Sequence, residues 1–123
     1  ICGTDSGFPQ MIRPMFYDAY HHIENISHPA GEIKTYDICG NICETGDLFA
    51  KDRPINEIRE GDLLSINDTG AYGYAMGGVY NLRPMPAEVV VEKGEIRLSR
   101  KRLSPEQLIA LILKEGRDII DPS

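Results

Sequence analysis

Residues 87–101, AEVVVEKGEIRLSRK, decide the fold class. Ala87–Glu92 is apolar and β-branched, Lys93-Gly94 is a turn signal, and Glu95–Lys101 alternates apolar with polar side chains. The stretch reads as two short strands with a tight turn. Working outward, the same grammar recurs. Glu60-Gly61-Asp62 turns into Leu63–Asn67, Asp47–Lys51 begins a strand, and Ile33–Cys43 reads as another. Residues 1–4 look like the end of a strand that Asp5-Ser6-Gly7 breaks. Short strands at this spacing, punctuated by Gly and Asp, predict a mainly β domain, either a small barrel or a sandwich.

Two helices flank these strands. Residues 14–23 are expected to be helical, with Pro14 at the first helical position and Phe16, Tyr20 and Ile23 on a core-facing stripe. Arg13 precedes that proline, which biases its backbone toward an extended conformation. Residues 105–115 form the second helix. Ser104 is its N-cap, Pro105 its first residue and Gln107 the reciprocal cap, while Leu108, Ile109, Leu111 and Ile112 form its apolar face and Gly116 stops it.

Composition removes several function classes. The chain has 123 residues, 41% of them hydrophobic, which is one domain with enough apolar mass for a core. Its net charge of −6 argues against a nucleic-acid surface, which needs an excess of cations. No apolar run is long enough to span a bilayer, and no signal peptide is evident, so a cytoplasmic location and no membrane partner are expected. The chain opens on Ile1 without an initiator Met, which fits a piece of something longer.

Cys2, Cys39 and Cys43 make an odd count without secretory context and favour a reducing compartment. Were residues 37–43 one strand, Cys39 and Cys43 would share a face ~13 Å apart, beyond disulfide reach. Joining them with His21, His22 or His28 matches no zinc spacing, so no metal is expected. Arg97–Arg102 carries four basic residues in six, but the alternation of Ile96 and Leu98 with Arg97 and Ser99 reads as a strand with a solvated face. The glycines from Gly70 to Gly78 fit neither phosphate-loop nor dinucleotide patterns. Composition and spacing alone therefore give a β-rich domain of unstated task.

Four stretches in one order add a resemblance. DSGFPQMIRPMFYDAYHHI (5–23), ICETGD (42–47), GDLLSINDTGAYGYAMGGVYNLRPMPAEV (61–89) and the ending RLSRKRLSPEQLIAL together resemble the diaminopimelate decarboxylases. These are pyridoxal-phosphate enzymes with a TIM-type barrel followed by a Greek-key-like β-barrel domain of the alanine racemase and decarboxylase type. They convert meso-2,6-diaminopimelate to L-lysine and carbon dioxide. The resemblance covers essentially the whole chain and implies that residues 1–123 are the C-terminal β-barrel domain. It also implies that the TIM-type barrel, with its cofactor lysine, phosphate-binding glycine loop and the histidine over the ring, lies outside this chain, as does an N-terminal strand that completes the β-barrel. Without that lysine the fragment is expected to be inactive alone.

The resemblance also assigns roles. Arg13 matches the arginine that holds the distal carboxylate of the substrate, for which a planar fork is suited. Tyr17 matches a tyrosine bonded to the same end, and Glu44 the acid that recognises the distal ammonium. Cys43 matches the catalytic thiol that returns a proton after carbon dioxide leaves; thiols are mostly protonated at neutral pH, as a donor must be. Tyr72 matches the tyrosine that reaches both cofactor phosphate and substrate. In the family the Cys-Glu pair serves the neighbouring subunit, which implies a head-to-tail homodimer with shared sites. Tyr36, Tyr74 and Tyr80 are read as core or interface, and Cys2 and Cys39 as structural. Two departures, GGVYN and Met85-Pro86, touch no assigned residue.

Alternatives differ in class. Ornithine and arginine decarboxylases share the β-barrel, but the ornithine enzymes generally carry Asp after the Cys and lack the RPxxY arginine. Glu44 with Arg13 therefore favours diaminopimelate, while a decarboxylase of a glutamate-like, carrier-bound group would also keep the arginine. A stand-alone β-barrel binding module is the non-enzymatic reading.

Overall fold

The computed structural model describes residues 1–120, with side chains as far as Lys114. The chain forms two compact units that divide after Gly77. The architecture is mainly β with short helices, as expected.

In the first unit, β1 (Cys2–Gly3) pairs in parallel with β3 (Ile33–Cys39), and β3 pairs antiparallel with β4 (Leu48–Asn56). Between β1 and β3 in sequence come α1 (Arg13–Tyr17) and β2 (Ile23–Asn25), and β2 pairs antiparallel with β5 (Leu64–Ile66). Met11, Ile23, Ile38, Phe49, Ala50 and Ile55 form the buried core, with Tyr36, Ile58, Leu64 and Ile66 packed against it. Tyr36 also accepts a hydrogen bond from the Ile58 amide at 2.8 Å, which fits its reading as a core residue.

Phe49 and Ala50 are neighbours in sequence, yet both are buried, which a regular strand with alternating side chains forbids. The register explains it. Tyr36 faces Arg53 and Ile38 faces Ala50, so Asp37 alone opposes Lys51 and Asp52. Asp52 adopts φ +49° and donates its amide to Asp37 Oδ1 at 2.8 Å. A second shift follows between Ile38 and Cys39. These bulges bend β4 and turn consecutive side chains inward.

Several expected elements differ in the structure. The helix expected over 14–23 ends at Tyr17, because Asp18 turns left-handed at φ +53° and donates its amide to the Arg13 carbonyl. A short polar residue tolerates that region, and the chain then enters β2. Phe16 and Tyr20 are consequently exposed, and Ile23 reaches the core from a strand. Arg13 opens the helix rather than staying extended. In addition, β3 stops at Cys39, so residues 40–43 are loop and the strand geometry assumed between Cys39 and Cys43 does not hold. Burial, then the neighbouring Cys39, pushes the Cys2 thiol up.

The second unit holds a 3-10 turn (Tyr80–Leu82), the hairpin β6 (Glu88–Glu92) and β7 (Glu95–Arg100), and α2 (Pro105–Ile120). Lys93 and Gly94 both take positive φ, +50° and +78°, the requirement of a two-residue turn that matches strand twist. Val89 faces Leu98 and Val91 faces Ile96, so these four apolar residues share one face, and all four are exposed. The basic run is partly neutralised, since Arg100 pairs with Glu88 at 3.0 Å. The cap of α2 is as expected: Ser104 Oγ accepts the Gln107 amide, and Gln107 Oε1 accepts the Ser104 amide. The helix runs through Gly116 to Ile120 rather than stopping, and of its expected apolar face only Leu108 is buried.

Candidate functional site

Three segments of the first unit carry the residues singled out by sequence: α1, the loop over residues 40–47, and the turns over residues 69–77.

Arg13 is the first residue of α1 and is half-buried. Its guanidinium carbon lies 5.4 Å from the centroid of the Tyr72 ring, a cation–π contact that links the first segment to the third. Tyr17 lies one turn further along α1. It is exposed, and its ring meets Phe16 edge-on at a centroid distance of 5.7 Å.

Tyr72 is held by a stack of tight turns. The Gly73 amide bonds the Thr69 carbonyl at 2.8 Å, and the Met76 amide bonds the Tyr72 carbonyl at 3.0 Å. Gly73 is buried, and a Cβ there would lie 2.5 Å from the Thr69 carbonyl oxygen. Only glycine allows the backbone to close this far, and the closure leaves the Tyr72 side chain half exposed.

Cys43 and Glu44 sit at the exposed tip of the 40–47 loop, and the Cys43 thiol is free. Glu44 Oε1 accepts the Gly46 amide at 3.4 Å, and the Glu44 carbonyl accepts the Asp47 amide at 3.1 Å. The loop abuts α1 directly. Gly46 packs on the Met15 side chain so closely that a Cβ would come within 3.0 Å of it. Arg13 and Tyr72 are thus in contact, Cys43 and Glu44 share one loop tip, and Gly46 joins that loop to the helix bearing Arg13 and Tyr17.

Sequence reasoning passed over several residues that build this region. Asp47 was expected only to begin a strand, but β4 starts at Leu48 and Asp47 is buried in the loop. Arg53 lies over the Tyr20 ring at 4.1 Å and donates to the His21 carbonyl at 2.6 Å, which fixes the chain just beyond α1. No local pattern announces either feature, because both bring together distant parts of the chain. Among the described residues, no group of three or more His, Cys, Asp or Glu side chains is placed to hold a metal ion. No helix among them is long and apolar enough to cross a membrane.

Comparison with known proteins agrees on one family. Residues 1–70 match the C-terminal sheet domain of the pyridoxal-dependent decarboxylases. Diaminopimelate decarboxylase of Methanothermobacter thermautotrophicus is 48% identical over 101 residues, which is 81% of this chain and 24% of that protein. The enzyme of the same name from Aquifex aeolicus is 45% identical over 106 residues, 86% of this chain and 25% of its own length. Among solved structures, diaminopimelate decarboxylase from Helicobacter pylori complexed with L-lysine is similar with a TM-score of 0.83 and 37% identity, covering 92% of this chain and 28% of that one. The chain thus spans about a quarter of the length of the relatives it matches. With the family model covering more than half of its residues, this chain belongs to the pyridoxal-dependent decarboxylases, in which it matches the C-terminal sheet domain.

Proposed function

We propose that residues 1–123 are the C-terminal domain of a diaminopimelate decarboxylase that forms L-lysine and carbon dioxide, and that this domain supplies substrate-binding groups and a proton donor to a site completed by a TIM-type barrel. The observation that carries this reading is the gathering of Arg13 with Tyr72, and of Cys43 with Glu44 on a loop packed against the same helix.

Pyridoxal phosphate, held through a lysine of the barrel domain, would act as the electron sink for loss of the carboxylate. The residues present fit such a group, because the tight turn at Gly73 presents an exposed phenol, and a Tyr O–H can donate to a phosphate oxygen. Arg13 offers a planar, permanently charged fork to the carboxylate that must not react. Its contact with Tyr72 restrains the guanidinium before substrate arrives, which lowers the ordering cost of binding. Tyr17, on the same helix, can donate to the same end. Glu44 offers a carboxylate to the distal ammonium. Cys43 holds a proton on Sγ and delivers it to the carbon that has lost carbon dioxide.

The Cys-Glu pair is read as serving the site of a second subunit in a homodimer. The setting is cytoplasmic, where free thiols persist. Glu44, in place of an aspartate, together with Arg13 favours diaminopimelate over ornithine.

The test is a kinetic split between neighbours in the full-length enzyme. Cys43→Ala should lower kcat with little change in KM, since only proton return is lost. Glu44→Gln should raise KM and spare kcat, because a ground-state partner of the substrate is lost. Identical kinetic defects in the two variants, or none, would remove the assignment.

A further inference from the structure

Cys43 and Glu44 lie at an exposed loop tip, and the roles proposed for them require that tip to be held in place. Asp47 is 4% exposed and uses both carboxylate oxygens on backbone amides. Oδ1 accepts the Phe8 amide at 2.7 Å, and Oδ2 accepts the Ile42 amide at 2.8 Å. Its own main chain closes the rest of the loop: its amide bonds the Glu44 carbonyl at 3.1 Å, and its carbonyl accepts the Gly40 amide at 3.0 Å. One residue therefore ties residues 40, 42 and 44 together, bracketing Cys43, and anchors them to the segment around Phe8.

The surroundings are shaped for that carboxylate. A Cβ on Gly40 would overlap both Asp47 oxygens and the Gly7 Cα, and a Cβ on Gly7 would overlap Ile42. The Asn41 amide adds a bond to the Ser6 carbonyl at 2.9 Å. Each oxygen of the carboxylate thus accepts a backbone amide from a different segment, a charge-assisted pair of bonds.

We infer that Asp47 is a positioning residue that sets the orientation of Cys43 and Glu44, acting on the reaction only through them. The inference rests on the proposed roles of that pair. It adds that the loop geometry is held from beneath, by a side chain that touches neither substrate nor cofactor.

Asp47→Asn in the full-length enzyme is near-isosteric but places a donor against one of two amides. Two measurements follow. Hydrogen exchange should quicken by about tenfold or more at the Ile42 amide, with the β3–β4 amides of Ile38, Ala50 and Ile55 unchanged, a local opening. The variant should lose about tenfold or more in kcat/KM, whereas the same change made on top of Cys43→Ala and Glu44→Gln should cost less than about threefold, because the positioned groups are already gone. Gly40→Ala, which crowds the same carboxylate, should give the same two signatures. Exchange that quickens equally in β3 and β4, or a variant that does not fold, makes Asp47 a general stability residue and overturns the inference. Unchanged Ile42 exchange overturns it as well, as does an undiminished loss in the double-variant background. If Cys43→Ala and Glu44→Gln themselves leave the kinetics intact, the site reading fails; the exchange data then still report independently on whether Asp47 holds the loop.

Discussion

The guanidinium of Arg13 lies over the ring of Tyr72, 5.4 Å from its centroid, although the two residues come from a helix and a turn far apart in the chain. The contact joins the group proposed to hold the distal carboxylate to the group proposed to reach the cofactor phosphate.

Arg13→Ala in the full-length enzyme should act mainly on binding. A lost charge-assisted contact is worth about 2–3 kcal/mol, or roughly 30- to 150-fold in kcat/KM carried by KM. Arg13→Lys should recover little, since a point charge replaces a planar fork. Steady-state kinetics with both variants is the measurement, and unaltered KM and kcat would remove Arg13 from the site.

Tyr72→Phe separates two roles of one side chain. The ring remains for Arg13, while the hydroxyl proposed to bond the phosphate is lost. Cofactor affinity should fall several-fold, about 1 kcal/mol for one hydrogen bond, with a smaller rise in substrate KM, since the same hydroxyl is read as reaching both. Titrating the apoenzyme with pyridoxal phosphate checks this; an equal loss in KM would mean that the hydroxyl faces the substrate instead.

Gly73→Ala probes the turn that presents Tyr72. A methyl group has no room beside the Thr69 carbonyl, so the variant should lose about 1–3 kcal/mol of stability, as overpacking does. Thermal unfolding measures it. A variant as stable as the parent would show that the turn can relax without loss.

How much of this was legible beforehand depends on range. The hairpin at Lys93-Gly94 and the cap joining Ser104 to Gln107 are settled by residues within one turn of each other, and both formed as read. The helix over 14–23 failed because Asp18 turned left-handed, a choice that suits the entry into β2 and leaves no mark in local periodicity. The bulge of Asp37 against Lys51 and Asp52 depends on strand pairing and was likewise invisible. The candidate residues were found by resemblance rather than by spacing. The contact of Arg13 with Tyr72 and the buried anchor Asp47 needed the fold.

Acid stability should carry the mark of Asp62. Its carboxylate accepts the Arg59 amide, the Asn25 amide group and His28 Nδ1, all on Oδ2, and these bonds, the Arg59 amide first, hold it at about 2 against an ordinary 3.8. A folded value below the unfolded one means that the contribution is fully present above about 3.8 and is lost as pH falls through about 2. The difference in melting temperature between the parent and Asp62→Asn should therefore be constant at neutral pH and shrink across that window. A difference that stays constant down to the acid limit would show that these bonds do not favour the ionised form.

The strictest prediction concerns which subunit uses Cys43. If the Cys-Glu loop serves a neighbouring site, two impaired full-length variants should rescue each other. One lacks the cofactor lysine of the barrel domain, and the other carries Cys43→Ala. In a mixed dimer, the chain with Cys43→Ala contributes the lysine and its partner contributes the thiol, so one of the two sites is complete. Random exchange at equal amounts makes half of the dimers mixed, which predicts a rise toward about a quarter of parental activity for a two-fold dimer. Within a single chain the same mixture has no complete site at all, since no polypeptide carries both groups. Activity that stays at the level of the separate variants, with subunit exchange verified by a tag on one of them, would place the thiol in its own chain's site and require the loop at Cys43 to face the barrel domain of the same polypeptide.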